Sequence, residues 1–515
     1  MNGFDNFIDT RKIDNGTRIE TDLCIIGSGA AGITLAREFA GSQTRIALLE
    51  TGGLNFEADT QQLGTIQVVG RPYPVEQCRL RYFGGTTNHW GGHCSRLEAI
   101  DFEERDWIPD SGWPFGRDYM MPFYERAHHV IELGSLDYDA ASIAAKLNYK
   151  LFPFDPLKVR TSLSRYHAQR FGIRYGAELN SSGNITTYLY ATVTSLDLDP
   201  GHRFVSQVTV KTLAGNTVTV AAKRFVVATG GIENARLLLD SNEAQPKGIG
   251  NGHDLVGRYF MEHIAYPKSV IRPPVMDPAY DIYTGERPYL DGDPVGVRCH
   301  LALHQDLTRE LRIPKFRTEI GLAKVPLHAP FSAGFSMDDI TNLMERAGSK
   351  LDRVINGAPW HPTCYELLNY TEQVPNPSSR ISLSTDKNAL GQHLTKMDWR
   401  LTELGREGIR IAHRVIAEEV GRSGFGRYLG FLPEEEERIL DGAVGGMHHM
   451  GTTRMHDDPR RGVVDRNCKI HGLENIYMAG SSVFPSCGWP NPTLTITALS
   501  LRLADHLKSE MTFHG

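Results

Sequence analysis

The sequence predicts an α/β protein in two parts. One is a domain on a parallel sheet, assembled from separated stretches of chain. The other is an α+β domain on a mostly antiparallel sheet. Three observations predict this. A strand–glycine turn–helix unit occupies residues 21–39. Two comparable units recur far downstream, at residues 224–239 and 475–507. Between them lie runs that alternate apolar and polar residues, as strands with one buried face do.

The first unit opens with the apolar run 21–26 (TDLCII), suited to a buried parallel strand. Gly27-Ser28-Gly29-Ala30-Ala31-Gly32 follows at once, and Ile33, Leu35, Ala36 and Phe39 then take helical spacing. Residues 45–49 (RIALL) form a second strand ending at Glu50. In this Rossmann-like arrangement Gly27 permits the tight turn, Gly29 lets the backbone approach a pyrophosphate, and Gly32 lets helix and strand pack closely. The helix N-terminus offers unpaired N–H groups to phosphate, and Glu50 can accept hydrogen bonds from a ribose diol. The motif does not by itself separate NAD from FAD.

Residues 79–96 (RLRYFGGTTNHWGGHCSR) hold four glycines, Gly84, Gly85, Gly91 and Gly92, among Thr86, Asn88, His89 and Trp90. The stretch is poor as helix or strand and suits a loop whose backbone lies against a ligand. Residues 184–198 alternate like a strand, and 203–220 repeat the pattern around Ala214-Gly215-Asn216, as in a hairpin. Residues 224–231 (RFVVATGG) read as another buried strand, with a helix over 232–239. A last strand at 476–480 ends on Gly480, and an apolar-periodic helix covers 494–507. The expected nucleotide-binding domain takes residues 1–100, 184–260 and 445–515. The substrate domain takes 101–183 and 261–444, with strands near 295–303, 317–322 and 380–384 and a helix at 402–420. The stretches at roughly 60–80 and 325–345 are expected to shape access.

Composition narrows the function. Lys plus Arg number 55 against 61 Asp plus Glu, a net charge of −6. That speaks against nucleic acid as partner. No apolar run approaches the ~18 residues of a membrane span. The seven cysteines are scattered without a C-x-x-C pair, so neither a disulfide framework nor a metal site is expected. The first twenty residues lack the features of a secretory signal, so a cytoplasmic location is the default. Export with a signal-bearing partner stays open.

Two segments carry candidate chemistry. Residues 445–455 (GGMHHMGTTRM) precede the last strand, and 486–493 (SCGWPNPT) lie between that strand and the last helix. Ligands in such sheets bind at the C-terminal edge of the strands, so both can flank one ligand face. Asn491 precedes Pro492 and favours an extended backbone, and Pro492 opens the helix at no hydrogen-bond cost. Oxidising an alcohol removes a proton from O–H and a hydride from C–H. A neutral histidine can take the proton, and a neutral amide beside it can hold the oxygen.

Taken together, these motifs resemble the glucose–methanol–choline (GMC) family of flavoproteins over nearly the whole chain. The carrying residues are Gly27 to Gly32 with Glu50; Gly84-Gly85-Thr86-Thr87-Asn88-His89-Trp90; Gly112-Trp113-Pro114; residues 226–234 (VVATGGIEN); Asn376-Pro377-Ser378-Ser379-Arg380; His448 to Met455; and Asn491-Pro492-Thr493. The resemblance implies an FAD-binding domain of the GMC/p-hydroxybenzoate hydroxylase-like kind. It also implies oxidation of an alcohol or sugar hydroxyl with hydride passing to flavin N5.

By the same resemblance His448, at the head of an H-x-x-G stretch, is the base, Asn491 its partner, and His449 the second-ranked histidine. Glu50 matches the ribose-binding acid, and Val193 a position whose backbone meets adenine. The expected cofactor set is Gly27, Gly29, Ala30, Ala31, Gly32, Glu50, Gly84, Gly85, Thr86, Asn88, His89, Trp90, Gly91, Val193, Gly480, Asn491, Pro492 and Thr493. The nearest branch holds the pyranose and glycoside oxidases and the large subunits of fructose and gluconate dehydrogenases.

Within that branch His89 matches a histidine joined covalently to the flavin. Gly91 stands where those oxidases carry Thr, which leaves the electron acceptor open among O2, a quinone and a carrier protein. Trp90 and Trp489 are candidates for a sugar-sized pocket. Alternatives are a non-sugar alcohol as substrate, or a catalytic subunit of a cytochrome-linked complex. In the latter case a partner supplies the heme, because no C-x-x-C-H occurs. A small subunit or a homo-oligomer fits either case. An NAD-dependent enzyme leaves the second and third segments unexplained.

Overall fold

The computed structural model describes residues 5–76, 78–288, 295–323, 363–430 and 442–513. The expected access stretch 325–345 lies outside the described residues.

The first sheet is built around β2 (Arg18–Ile26). Its last residues are buried on both faces, which is why the run is continuously apolar. On one side β2 pairs in parallel with β3 (Ile46–Leu49), β3 with β7 (Ile185–Leu189), and β7 with β1 (Phe7–Asp9). On the other side lies β10 (Thr217–Val227), parallel to β2 over its whole length and to β20 (Ile476–Met478) at its end. The three glycine-bearing stretches therefore bring β2, β10 and β20 side by side. Helix α1 (Ala30–Glu38) packs between this sheet and the long last helix, Thr493–Phe513.

Two expectations change here. Residues 184–198 are not one strand. Tyr190 has a left-handed backbone, φ 57°, and breaks them into β7 and β8 (Thr192–Leu198). β7 stays in the parallel layer, while β8 turns into an antiparallel ribbon with β9 (Val205–Lys211). The strand expected at 224–231 is the second half of β10, whose first half pairs antiparallel with β9.

The second sheet is antiparallel. It contains β5 (His93–Cys94), β6 (Val159–Tyr166), β11 (His263–Arg272), β13 (Gly296–Leu303), β14 (Phe316–Ala323) and β15 (Cys364–Glu372); β12 (Arg287–Pro288), β18 (Arg427–Leu429) and β19 (Val444–Gly445) add short edges. Alternation divides its faces. On β13, Val297, Cys299, Leu301 and Leu303 join a second apolar core with Ile409, Ala412 and Ile416 of the helix Glu403–Arg422. Arg298 and His300 alternate with them, toward the other face. Residues 380–384, expected in this sheet, form instead a separate three-stranded unit. There β16 (Arg380–Lys387) pairs with β17 (His393–Asp398), and β17 with β4 (Ile66–Val68). The short strand from the 60–80 stretch captures them.

Candidate active site

One cavity is lined by residues of all three glycine-bearing stretches together with Gly85, Thr86 and Trp90, Val193, Met447, His448, His449, Pro492 and Thr493. The glycines around it fall into two kinds. A Cβ on Gly32 would stand 1.9 Å from the Gly27 carbonyl oxygen, and one on Gly27 2.6 Å from that of Ala228. These two let backbones touch. A Cβ on Gly29, Gly230 or Gly480 would meet nothing within 4 Å, although all three line the cavity. At Gly230 and Gly480 the left-handed backbone, φ 89° and 101°, itself calls for glycine, whereas Gly29 has an ordinary φ of −78°, so its bareness leaves room for a ligand's close approach. Gly85 of the second cluster closes over it, its Cβ direction 3.1 Å from Gly29 Cα.

Glu50 lines the cavity and is fixed there. Its Oε2 accepts from the Ser28 N–H at 3.1 Å and the Ser28 hydroxyl at 2.6 Å, and its Oε1 accepts from the Gly52 N–H at 3.1 Å. Arg79 and Arg81 also line it, and sequence reading left them unassigned. Both pair with the single carboxylate Glu233, at 2.6 and 3.2 Å, and Arg236 shares it too. Arg236 also reaches Asp240 at 3.9 Å, so three cations against two carboxylates leave positive charge beside the cavity. That charge, the bare glycines and the open N-terminus of α1 fit a diphosphate-bearing dinucleotide such as FAD.

Not every expected residue lines the cavity. Gly84 and Asn88 shape the loop: the Gly84 N–H donates to the Ser28 carbonyl at 3.0 Å and the Asn88 amide to that of Phe83 at 3.0 Å. His89 and Gly91 are exposed next to Trp90. Trp90 packs edge-on against Phe171 and donates its indole N–H to the Gln169 carbonyl at 2.7 Å. Trp489 is buried, with Lys315 and Arg317 over its ring at 5.5 and 5.2 Å. Asn491 is half-buried just before Pro492 and Thr493, which line the cavity.

The two histidines owe their position to a bulge. Met261 and Met450 exchange backbone hydrogen bonds at 2.9 and 3.0 Å, and the Gly446 N–H donates to the His263 carbonyl at 2.9 Å. Residues 446–450 thus face only 261–263, and the surplus chain bows out. Met447 takes a left-handed backbone, φ 63°, to make the turn. Glu262, fully buried, holds the bow. Its carboxylate accepts from the His448 N–H at 2.9 Å, the His263 N–H at 3.2 Å and the Tyr73 hydroxyl. Tyr73 also meets His449 Nε2 at 2.9 Å. His448 Nδ1 lies 2.9 Å from His263 Nδ1.

Burial sets the protonation of this cluster. Desolvation pushes Glu262 up to about 7. It pushes His263 down to about 3, helped by Arg317, and holds His448 and His449 well below the ordinary histidine value. His448 therefore presents a neutral imidazole to the cavity, and its Nε2 has no hydrogen-bond partner among the described residues. Sequence reading found the histidines but missed Tyr73, Glu262 and His263. They belong to other elements, and only the adjacency Glu262-His263 at the head of a strand hinted at them.

Comparison with known proteins agrees with this geometry. Residues 375–500 match the family model described as GMC oxidoreductase. The chain is 29% identical to the fructose dehydrogenase large subunit of Gluconobacter japonicus over 298 residues, 57% of this chain and 48% of that one, so the match spans about half of that relative. It is 24% identical to 2-methyl-1,2-propanediol dehydrogenase of Mycolicibacterium austroafricanum, over 95% of each chain. It is 26% identical to 6'''-hydroxyparomomycin C oxidase of Streptomyces lividus, over 96% of this chain and 93% of that one. Among solved structures, pyridoxine 4-oxidase from Mesorbium loti superposes with a TM-score of 0.60 at 17% identity, over 94% of this chain and 99% of that one, and so shares the fold. Among the described residues no helix is long and apolar enough to cross a membrane. Fold, cavity and matched segment converge: residues 375–500 match the GMC oxidoreductase family, and the cavity they help to line fits FAD.

Proposed function

We propose that the protein oxidises a hydroxyl of a sugar or glycoside to the carbonyl, with His448 as the base that takes the hydroxyl proton. The observation that carries this reading is the neutral, cavity-lining imidazole of His448, whose Nε2 has no partner among the described residues. Asn491 holds the substrate oxygen beside it. Bound FAD supplies the hydride acceptor.

The chain's residues divide the remaining work. Gly27, Gly29, Ala30, Ala31, Gly32 and Gly480 give the dinucleotide its backbone cradle, Glu50 takes the ribose diol, and the Val193 backbone meets the adenine. Gly85, Thr86, Trp90, Pro492 and Thr493 surround the ring system, Gly84, Asn88 and Gly91 shape the loop that presents the first three, and His89 is the candidate covalent anchor. Residues 1–100, 184–260 and 445–515 make the FAD-binding domain, and 101–183 and 261–444 the substrate domain. A sugar is favoured because the sheet face opposite the second core carries Arg298, His300, Arg317 and Glu319, paired among themselves and with Ser164, and leaves the buried His300 Nδ1 and Arg317 Nε without hydrogen-bond partners among the described residues. The fructose and hydroxyparomomycin relatives point the same way.

A second reading, a small non-sugar alcohol, is favoured by the diol dehydrogenase that matches along 95% of both chains. The large-subunit relative supports a third element, a smaller partner that relays electrons to a quinone or carrier. Anaerobic mixing of the holoenzyme with a panel of sugars, glycosides and apolar alcohols tests the substrate class. Bleaching of the flavin by sugars or glycosides alone supports the first reading, and bleaching by the alcohols alone overturns it. Acid precipitation tests His89: flavin that stays with the pellet supports the link, and flavin in the supernatant ends it.

A further inference from the structure

The contact between His448 and His263 involves the same atom type on both rings, Nδ1 to Nδ1 at 2.9 Å. Two neutral imidazoles can make that contact in only one way: one Nδ1 carries a proton and donates, and the other bears a lone pair and accepts. Both rings are neutral at physiological pH, because burial disfavours either cation. Which ring donates follows from the role of His448.

His263 is almost wholly buried, and its Nε2 has no partner within hydrogen-bond geometry. His448 lines the cavity with its Nδ1 taken up by His263, so as the base it must keep its lone pair on Nε2. A neutral imidazole with a bare Nε2 carries its proton on Nδ1 and donates it. His263 therefore keeps its proton on Nε2 and offers its Nδ1 lone pair to His448.

We propose that His263 is a positioning residue that fixes the tautomer of His448, so that Nε2 of His448 meets the substrate hydroxyl as an acceptor. This rests on the reading of His448 as the base. When the hydroxyl proton moves to Nε2, His448 becomes a cation, and its Nδ1–H to His263 becomes a charge-assisted hydrogen bond and strengthens. His263 thus also stabilises the protonated base it has aligned, without itself touching substrate. The surroundings enforce the pairing. A Cβ on Gly446 would lie 3.2 Å from His448 Nδ1 and 3.5 Å from His263 Cβ, so a side chain there would crowd the two rings. The charged and titratable groups around the pair are Glu262 on the same strand, Arg317 and Glu319 from β14, and His449 from the bulge. Arg317 opposes a cation and Glu319 favours one. Neither bonds to Nδ1 of His448, so neither can choose its tautomer.

The test reads the proton directly and the rate separately. Holoenzyme labelled with 15N-histidine is examined by long-range 1H–15N correlation, with His448 assigned by its disappearance in His448→Ala. The expected spectrum gives His448 a protonated Nδ1 and a bare Nε2; a protonated Nε2 overturns the proposal. His263→Leu removes the acceptor and is expected to shift His448 toward the other tautomer and to slow anaerobic flavin reduction roughly 10- to 100-fold. His263→Asn places an amide oxygen near the former Nδ1 and should restore the tautomer and most of the rate. Equal rates in His263→Leu and the parent, with flavin content and Tm retained, overturn the proposal. So does slowing in His263→Leu that Asn does not rescue although that variant folds. Normal reduction by His448→Ala would instead remove the underlying reading, whatever the spectrum shows.

Discussion

The glycine cradle and the histidine bulge line the same cavity but are built by opposite means. The cradle is local. Gly27, Gly29 and Gly32 lie within six residues, and what each does follows from the missing Cβ and the turn it sits in. The bulge is made at a distance. His448 and His449 are held by Tyr73, Glu262 and His263, which arrive from a loop and from the head of a strand. Chemistry that needs only backbone approach is written in one short motif. Chemistry that needs a side chain at one protonation state and one angle is assembled from several.

Substitutions sharpen that contrast, and the largest effect on the fold belongs to Gly32. Gly32→Ala drives a methyl group against the Gly27 carbonyl and is expected to cost about 3 kcal/mol or more, with FAD uptake lost. A melting curve and the flavin absorbance ratio check it. If that variant folds and turns yellow like the parent, the turn is looser than its packing implies.

Glu262 comes next, and its effect depends on pH. Its folded-state pKa, raised to about 7, lies above the unfolded carboxylate value of about 4.3. The folded protein therefore holds a proton that the unfolded chain releases. Stability from this group is present below the unfolded pKa and is lost as pH rises through about 7. Glu262→Gln stays neutral, so it should gain on the parent between pH 5 and 8 by about 3 kcal/mol at most. Denaturant melts at four pH values measure the gap. A constant gap would mean that Glu262 is ionised throughout.

Gly29→Ala should have the smallest effect on the fold. Its Cβ meets nothing within 4 Å, so folding stability should fall by no more than about 1 kcal/mol, the cost of alanine at the N-cap of α1. FAD affinity should fall, because the methyl group enters the cradle. A large loss of Tm with intact affinity would reverse the roles given to Gly29 and Gly32.

The sequence made the parallel layer legible because β2, β3 and β10 are buried runs joined to glycine turns. The ribbon of β8 and β9 was harder, because the break at Tyr190 needs a left-handed non-glycine residue that no propensity announces. Residues 380–384 read correctly as strand, but β17 at 393–398 went unread, and its partner β4 is three residues from a distant loop. At the site, His448, Glu50, Gly29 and Gly480 could be named from motifs and line the cavity. Tyr73, Glu262, Arg79 and Arg81 could not. A buried tyrosine or carboxylate looks like any other until its long-range partner is known, and an arginine's role depends on how few carboxylates face it.

The central claim is that the imidazole of His448, neutral and turned to the cavity, removes the substrate proton. Rapid mixing of anaerobic His448→Ala holoenzyme with the substrate that bleaches the parent tests it most directly. The account predicts a yellow, folded protein whose flavin reduction is slowed by about 10² to 10⁴. Reduction at the parent's rate would contradict it.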